Sequence, residues 1–180
     1  MDRTRIEREF PYKSFRARPR LLLQEVQDFF DFFSEPTDRH VRRTGLALRS
    51  KGYWGYDAEF LEACRAELTL APEDLARLTV RVVERTDGHV VAFYALGPLD
   101  GSAGEVCFFF VDPPFMGTGV GRRLFEDLLA TARSAGMGSL RIDADPGAAY
   151  FYERMGAARV GETPSNSIPG RLLPSYEVTL

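Results

Sequence analysis

Apolar positions change their period near residue 78. Before it they recur at helical spacing: Leu22, Val26, Phe29 or Phe30, and Phe33 fall on one helical face that ends at Ser34-Glu35-Pro36. A second helix is predicted after Thr37-Asp38, running to about Arg49, and a third over Asp57 to Leu68, with Asp57 as its N-cap. Ahead of these, residues 13–19 read as an edge strand ended by Pro19. Beyond residue 78 the period falls to two. Leu78 to Glu84 and His89 to Leu96 flank Arg85-Thr86-Asp87-Gly88, a hairpin with Asp-Gly in its turn. A strand over 105–111, a helix over 118–135, a strand over 139–144, a helix over 147–155 and a closing strand or pair at 157–162 and 174–180 complete the chain. No internal repeat or low-complexity linker interrupts it.

Between the 105–111 strand and the next helix stands Val111-Asp112-Pro113-Pro114-Phe115-Met116-Gly117-Thr118-Gly119-Val120-Gly121-Arg122-Arg123-Leu124. Glycine at alternate positions lets the backbone come close to a ligand, and the first amides of a helix point outward unpaired, so the segment reads as a phosphate cradle. Neighbouring residues sort the ligand classes. A Walker loop closes with Gly-Lys-Ser/Thr, whereas Gly121 is followed by Arg122-Arg123. A dinucleotide fingerprint is spaced G-x-G-x-x-G; here the spacing is G-x-G-x-G, and only a loose fit through Asp143 or Asp145 survives. About sixty residues remain after Gly121, few for several βα units of about thirty residues each.

The third class fits. Met116-Gly117-Thr118-Gly119-Val120-Gly121 behind Val111-Asp112-Pro113 resembles the Gln/Arg-x-x-Gly-x-Gly/Ala signature of the GNAT superfamily of N-acetyltransferases. Asp145-Pro146-Gly147-Ala148-Ala149-Tyr150-Phe151-Tyr152-Glu153-Arg154-Met155-Gly156-Ala157 is similar to that family's late helix. The resemblance runs from about Tyr53 to the C-terminus. It implies an α/β (α+β) fold: a mixed, mostly antiparallel central sheet flanked by helices and splayed at strands 4 and 5, with the glycine loop after the fourth strand. On this division residues 41–180 form the acetyltransferase core, and residues 1–40 are a poorly matched N-terminal segment of the same domain whose Phe-rich helix is a candidate dimer contact.

Composition agrees with a single enzyme domain. The chain of 180 residues is long enough to bury a core. With 23 basic and 26 acidic residues its formal charge is −3, which argues against nucleic acid or an acidic membrane surface as partner. Cys64 and Cys107 are far apart and suggest neither a disulfide framework nor a metal site; they read as buried thiols in a reducing compartment. No apolar run reaches the ~20 residues of a membrane span, and the N-terminus begins with charges, so a cytoplasmic protein is expected.

What the resemblance implies for chemistry is specific. Acetyl-CoA is the cosubstrate, no metal is needed, and the acetyl group passes directly to a primary amine of a small molecule. Backbone groups of Phe109, Phe110 and Val111 pair with the pantetheine arm, and Met116, Gly117, Thr118, Gly119, Val120, Gly121 and Arg122 cradle the pyrophosphate, with Asp145 and Ala148 beside the arm. Glu105 corresponds to the glutamate that acts as base through water, and Tyr152 to the tyrosine that protonates the departing sulfur. Tyr150, two residues away, faces elsewhere on the helix.

Three positions depart from the pattern: Met116 stands for Gln or Arg, Asp145 for Asn, and Ala157 for Phe. Tyr53, Trp54 and Tyr56 lie where the family builds its acceptor wall, and packed aromatics suit a pocket. Arg171, in the polar loop 164–171, is a candidate for holding an acceptor carboxylate. A different class of function uses the same cradle without chemistry, as an acyl-CoA-binding sensor or interaction module; Glu105 and Tyr152 separate the two.

Overall fold

The computed structural model describes residues 30–34 and 40–180. Its strands are β1 (Phe30–Ser34), β2 (Thr79–Arg85), β3 (Val90–Pro98), β4 (Ala103–Val111), β5 (Ser139–Asp143), β6 (Ala158–Pro164) and β7 (Leu172–Thr179). Its helices are α1 (His40–Gly52), α2 (Ala58–Ala63), α3 (Pro72–Arg77), α4 (Val120–Ser134) and α5 (Ala149–Arg154). The strands form one sheet in the order β1-β2-β3-β4-β5-β7-β6, and every neighbouring pair is antiparallel except β4 and β5.

Local chemistry explains most of these elements. The Asp57 carboxylate accepts from the Phe60 amide at 2.8 Å and starts α2. The hairpin turn places Gly88 at φ 77°, a conformation that glycine adopts without a Cβ penalty. Helix α4 turns Val120, Leu124, Phe125, Leu128 and Ala132 onto the sheet, each fully buried. Burying each of its larger side chains stabilises by about 1.5–3 kcal/mol. A polar tie crosses the same interface: the Tyr94 hydroxyl donates to Asp127 Oδ2 at 2.7 Å and lies 2.9 Å from Thr131 Oγ1. The other face of the sheet buries Leu46, Ala47, Cys64, Leu68 and Leu70 against Val80, Val82, Phe93 and Phe108.

Two departures from the sequence expectations stand out. Residues 30–34 are expected at the end of a helix, yet they pair antiparallel with β2 from Phe30↔Arg85 to Ser34↔Val82. The open edge of β2 offers a ladder that local periodicity cannot register, and aromatic residues tolerate it well. Residues 13–19 and 22–29, where the other early elements are expected, lie outside the described residues. Helix α3 is not anticipated by the periodicity, although its signals are present: Pro72 occupies the first turn, and Asp74 accepts from the Ala71 amide at 2.9 Å.

One irregularity shapes the centre of the sheet. Strands β4 and β5 pair only through Ala103↔Ser139, Gly104↔Leu140 and Glu105↔Arg141. Past that point β4 follows β3 to Val111↔Ala92, while β5 follows β7 to Asp143↔Ser175, so neighbours with different partners diverge. A bulge adds to the bend. Ala95 faces Phe108 and Leu96 faces Val106, which leaves Cys107 as the extra residue in β4.

Candidate active site

The opening between β4 and β5 is a cavity of about 670 Å³. Val106 to Val111 form one wall and Ile142 to Asp145 the other; Met116, Gly117, Gly119, Gly121 and Arg122 close one end, and Ser50, Lys51, Tyr53, Trp54, Glu67 and Leu68 border it as well. Gly147, Ala148, Tyr150, Phe151, Tyr152, Arg154, Met155 and Leu173 complete the lining.

The glycine loop is built to present donors. Pro113–Phe115 make a tight turn, and Thr118 donates its hydroxyl to the Phe115 carbonyl at 2.6 Å. Gly119, at φ 99°, caps α4 in the left-handed region, a position that strains any residue bearing a Cβ. Among the described residues, no hydrogen-bond acceptor takes the amides of Gly117, Gly119, Val120, Gly121 or Arg122. With the positive end of a fifteen-residue helix behind them, these amides suit an anion. Asp112, the residue that leads into the loop, is buried and held by α1: Arg49 Nε and Nη2 reach its two carboxylate oxygens at 2.9 Å each. Thr118 and Val120 do not line the cavity, and Val120 is wholly buried in the core.

Tyr152 stands at the aromatic heart of the site. Its ring meets Phe109, Phe151 and Tyr176 at centroid distances of 6.0, 5.2 and 6.1 Å, and only 5% of the residue is exposed. Burial, with a contribution from the Asp145 charge, pushes the phenol above the usual tyrosine range, so it keeps its proton at neutral pH. No group among the described residues hydrogen-bonds its hydroxyl, and the residue lines the cavity.

Tyr53 and Trp54 are on the wall, edge to face at 5.1 Å, and the indole lies directly on Gly147, where an added Cβ would come within 2.4 Å of it. Tyr56 and Arg171 do not line the cavity. Both are committed to Asp145: the Tyr56 hydroxyl donates to Oδ1 at 3.0 Å, and Arg171 Nη2 donates to Oδ2 at 3.1 Å as well as to the Tyr56 oxygen. Lys51 Nζ adds a contact to Oδ2 at 3.3 Å, and the Gly147 amide donates to Oδ1 at 3.0 Å. Burial alone would raise the Asp145 carboxyl, but these donors and cations hold it below the usual carboxylate value. The expected acceptor contact of Arg171 is therefore corrected: its guanidinium is an internal clamp, only 14% exposed.

Glu105 is placed in the paired part of β4, opposite Gly97 and Arg141, one residue short of the cavity wall. The wall carboxylates are Glu67, Asp143 and Asp145, of which the sequence motifs single out Asp145 and, through the dinucleotide comparison, Asp143. Asp143 accepts from Ser175 and, at 3.2 Å, from Thr163. Glu67 accepts from Ser167 Oγ. Glu67 carries no signal in the sequence, because its neighbour Ser167 is distant in the chain. Cys107 is also corrected: Cys64 is buried, but the bulge turns Cys107 out to the cavity, where desolvation by its apolar surroundings and the Glu105 charge push the thiol up to about 11. Among the described residues no group of three or more His, Cys, Asp or Glu could hold a metal ion, and no helix is long and apolar enough to cross a membrane.

The acetyltransferase (GNAT) family model matches residues 47–157, more than half of the chain. The chain belongs to that family. Among solved structures, this GNAT protein is similar to the PaiA N-acetyltransferase of Thermoplasma acidophilum in complex with coenzyme A, at TM-score 0.68 and 14% identity over 84% of this chain and 99% of that one. A GCN5-related N-acetyltransferase from Rhodopseudomonas palustris matches at TM-score 0.62 and 20% identity, covering 84% and 94%. A GNAT acetyltransferase from Staphylococcus aureus matches at 0.64 and 12%, covering 83% and 98%. No curated protein matches the chain in sequence. As a family member the protein is an acyltransferase that uses acetyl-CoA. The free amides of the glycine loop and the apolar gap behind it fit that cosubstrate in charge and in shape.

Proposed function

We propose that the protein transfers an acetyl group from acetyl-CoA directly to the primary amine of a small molecule. Acetyl-CoA supplies the activated acyl group; the chain supplies position and protons. The amides of Gly117, Gly119, Val120, Gly121 and Arg122 and the Arg122 side chain hold the pyrophosphate, and the backbone of Phe109 to Val111, freed from β5 by the splay, is available to the pantetheine arm. Ala148 and Asp145 border the same gap. Met116 faces the core at this point, so the loop binds through its backbone rather than through a polar side chain at that position.

The observation that carries the reading is Tyr152: protonated, on the cavity lining, and with no hydrogen-bond partner for its hydroxyl among the described residues. It holds a proton where a departing thiolate needs one. Trp54 and Tyr53 give the acceptor an aromatic wall. The Glu105 side chain does not line the cavity and makes no direct contact with an amine bound there. The protein works in the cytoplasm on this reading, in keeping with its unpaired thiols.

Thermal-shift titration with acetyl-CoA, CoA, NAD and ATP tests the first half. A ligand at a hundred times its Kd stabilises by about 2.7 kcal/mol. A response to CoA and acetyl-CoA supports the cradle, and a response to NAD alone overturns it. Release of free thiol in the presence of primary amines then tests the second half; CoA binding with no turnover of any amine favours a non-catalytic acyl-CoA module.

A further inference from the structure

We infer that Glu67 is the carboxylate that holds the acceptor's ammonium group and takes its proton, which selects for cationic amines; the inference rests on the direct-transfer reading above. An amine at neutral pH arrives protonated and cannot attack until it loses a proton. The base must therefore be an ionised group on the cavity wall with a free lone pair.

Three carboxylates line the cavity, and two are engaged. Asp145 is clamped by Lys51, Arg171, Tyr56 and the Gly147 amide. Asp143 accepts from Ser175 and Thr163, with Arg141 Nε at 3.8 Å. Glu67 has no cationic partner among the described residues, and its one hydrogen bond comes from the Ser167 hydroxyl, which orients the carboxylate and leaves its other oxygen free. It is exposed, and it belongs to the same cavity lining as Trp54, Cys107 and Tyr152. An anionic carboxylate sharing a cavity with exposed aromatic faces is suited to an alkylammonium ion.

Ser167 reaches Glu67 because its loop is closed on itself. The Ser165 amide donates to the Arg171 carbonyl at 2.8 Å, the Arg171 amide to the Ile168 carbonyl at 3.2 Å, and Ile168 packs against the core that also holds Leu68. Ser167 is thus a positioning residue and Glu67 the group that touches substrate.

The proton balance is complete. The ammonium gives one proton to Glu67; the neutral nitrogen bonds to the acyl carbon as the carbon–sulfur bond breaks; the sulfur takes the Tyr152 proton. The amide nitrogen loses its second proton to solvent, from which Tyr152 is reprotonated, and Glu67 releases its own proton to bulk water. The sum is one N-acetyl amide, one CoA thiol and one proton from one ammonium and one thioester.

The test compares the wild type with Glu67→Gln, Glu67→Asp, Ser167→Ala and Ser167→Thr, using a panel of 2-phenylethylamine, tryptamine and putrescine beside aniline, which is already neutral at pH 7. For the alkylamine turned over best, E67Q is expected to lower kcat/KM by about 10²–10⁴-fold, the range of general base catalysis, with aniline affected less than threefold. E67D retains part of the activity, and S167A loses activity that S167T restores. An unchanged CoA thermal shift in E67Q shows that the fold and the cradle are intact. Alkylamine turnover that survives E67Q, or an equal loss on aniline, overturns the assignment of Glu67 alone. If the wild type binds CoA but acetylates no amine of the panel, the direct-transfer reading fails, and the role of Glu67 with it.

Discussion

The packing of Trp54 on Gly147 at the cavity wall can be tested by a single methyl group. A Cβ added at Gly147 would lie 2.4 Å from Trp54 Cδ2, 2.6 Å from Cε3 and 2.8 Å from Cγ. Carbon atoms rest at about 3.5–4.0 Å, so the indole must retreat by about 1 Å or more. Gly147 is not among the positive-φ glycines, and alanine keeps the amide that donates to Asp145, so G147A isolates the steric effect. Overpacking costs about 1–3 kcal/mol. Trp54 is 38% exposed and can swing outward rather than into the core, which favours the lower end, near about 1 kcal/mol. For a chain of this size that is a fall in Tm of about 2–4 °C. The displaced ring also reshapes the cavity wall proposed for the acceptor, so KM for the amine should rise while the CoA thermal shift stays constant. Denaturation of the wild type, G147A, W54A and the double variant completes a cycle. G147A should cost less than about 0.5 kcal/mol once the indole is gone, within the additivity error. An equal cost in both backgrounds refutes the argument, because the methyl group would then be clashing with something else.

Further perturbations address the chemistry and the scaffold. Tyr152→Phe is expected to lower kcat by about 10²-fold or more, the range of general acid catalysis, with acetyl-CoA binding by calorimetry unchanged. Asp112→Asn removes the bidentate acceptor of Arg49 at the entrance to the glycine loop; because Arg49 is half exposed, the expected loss is about 1–2 kcal/mol in urea unfolding, with weaker CoA binding. Asp145→Asn leaves Lys51 and Arg171 buried without a counter-charge and should cost about 3 kcal/mol. The carboxyl is held below its usual value, so its contribution to stability is present above about pH 4 and is lost as pH falls through the folded value; a flatter acid limb in the variant checks this. At the other extreme Tyr56, held up to about 12, and the still higher Tyr94 and Tyr152 keep their protons longer in the folded than in the unfolded chain. Their contribution is complete below about pH 10 and is lost as pH rises from there through the folded values; alkaline unfolding should be less steep in Y152F.

What can be read from the chain alone follows the range of the forces involved. The glycine loop, the hairpin and α4 declare themselves because their determinants are local: positive-φ glycines, an Asp-Gly turn, and apolar residues recurring along one helix face. Strand β1 reads wrongly as a helix end because its conformation is decided by an open edge of β2 some fifty residues away. The site divides in the same way. Tyr152 and the cradle residues are carried by short motifs, so the order of residues is enough to name them. The partners of Arg171 and Tyr56 are 26 and 89 residues from them in sequence, and a loop arginine reads as a substrate contact until Asp145 is seen beside it. Glu67 and Ser167 are a hundred residues apart, and neither sits in a motif.

Asp145 also explains why a departure from the family pattern leaves the site well formed. An asparagine at that position offers an amide donor, whereas a buried carboxylate offers none and needs cations around it. Here those cations come from α1 through Lys51 and from the loop before β7 through Arg171, with Tyr56 from the segment between α1 and α2. One carboxylate thus draws three elements onto the end of β5. The same carboxylate accepts the Gly147 amide, and Gly147 is the floor on which Trp54 rests. Two residues further on begins α5, which carries Tyr152. A carboxylate in place of an amide therefore moves this position from ligand contact to scaffold. It ties the indole and the phenol of the cavity lining together through one short stretch of backbone.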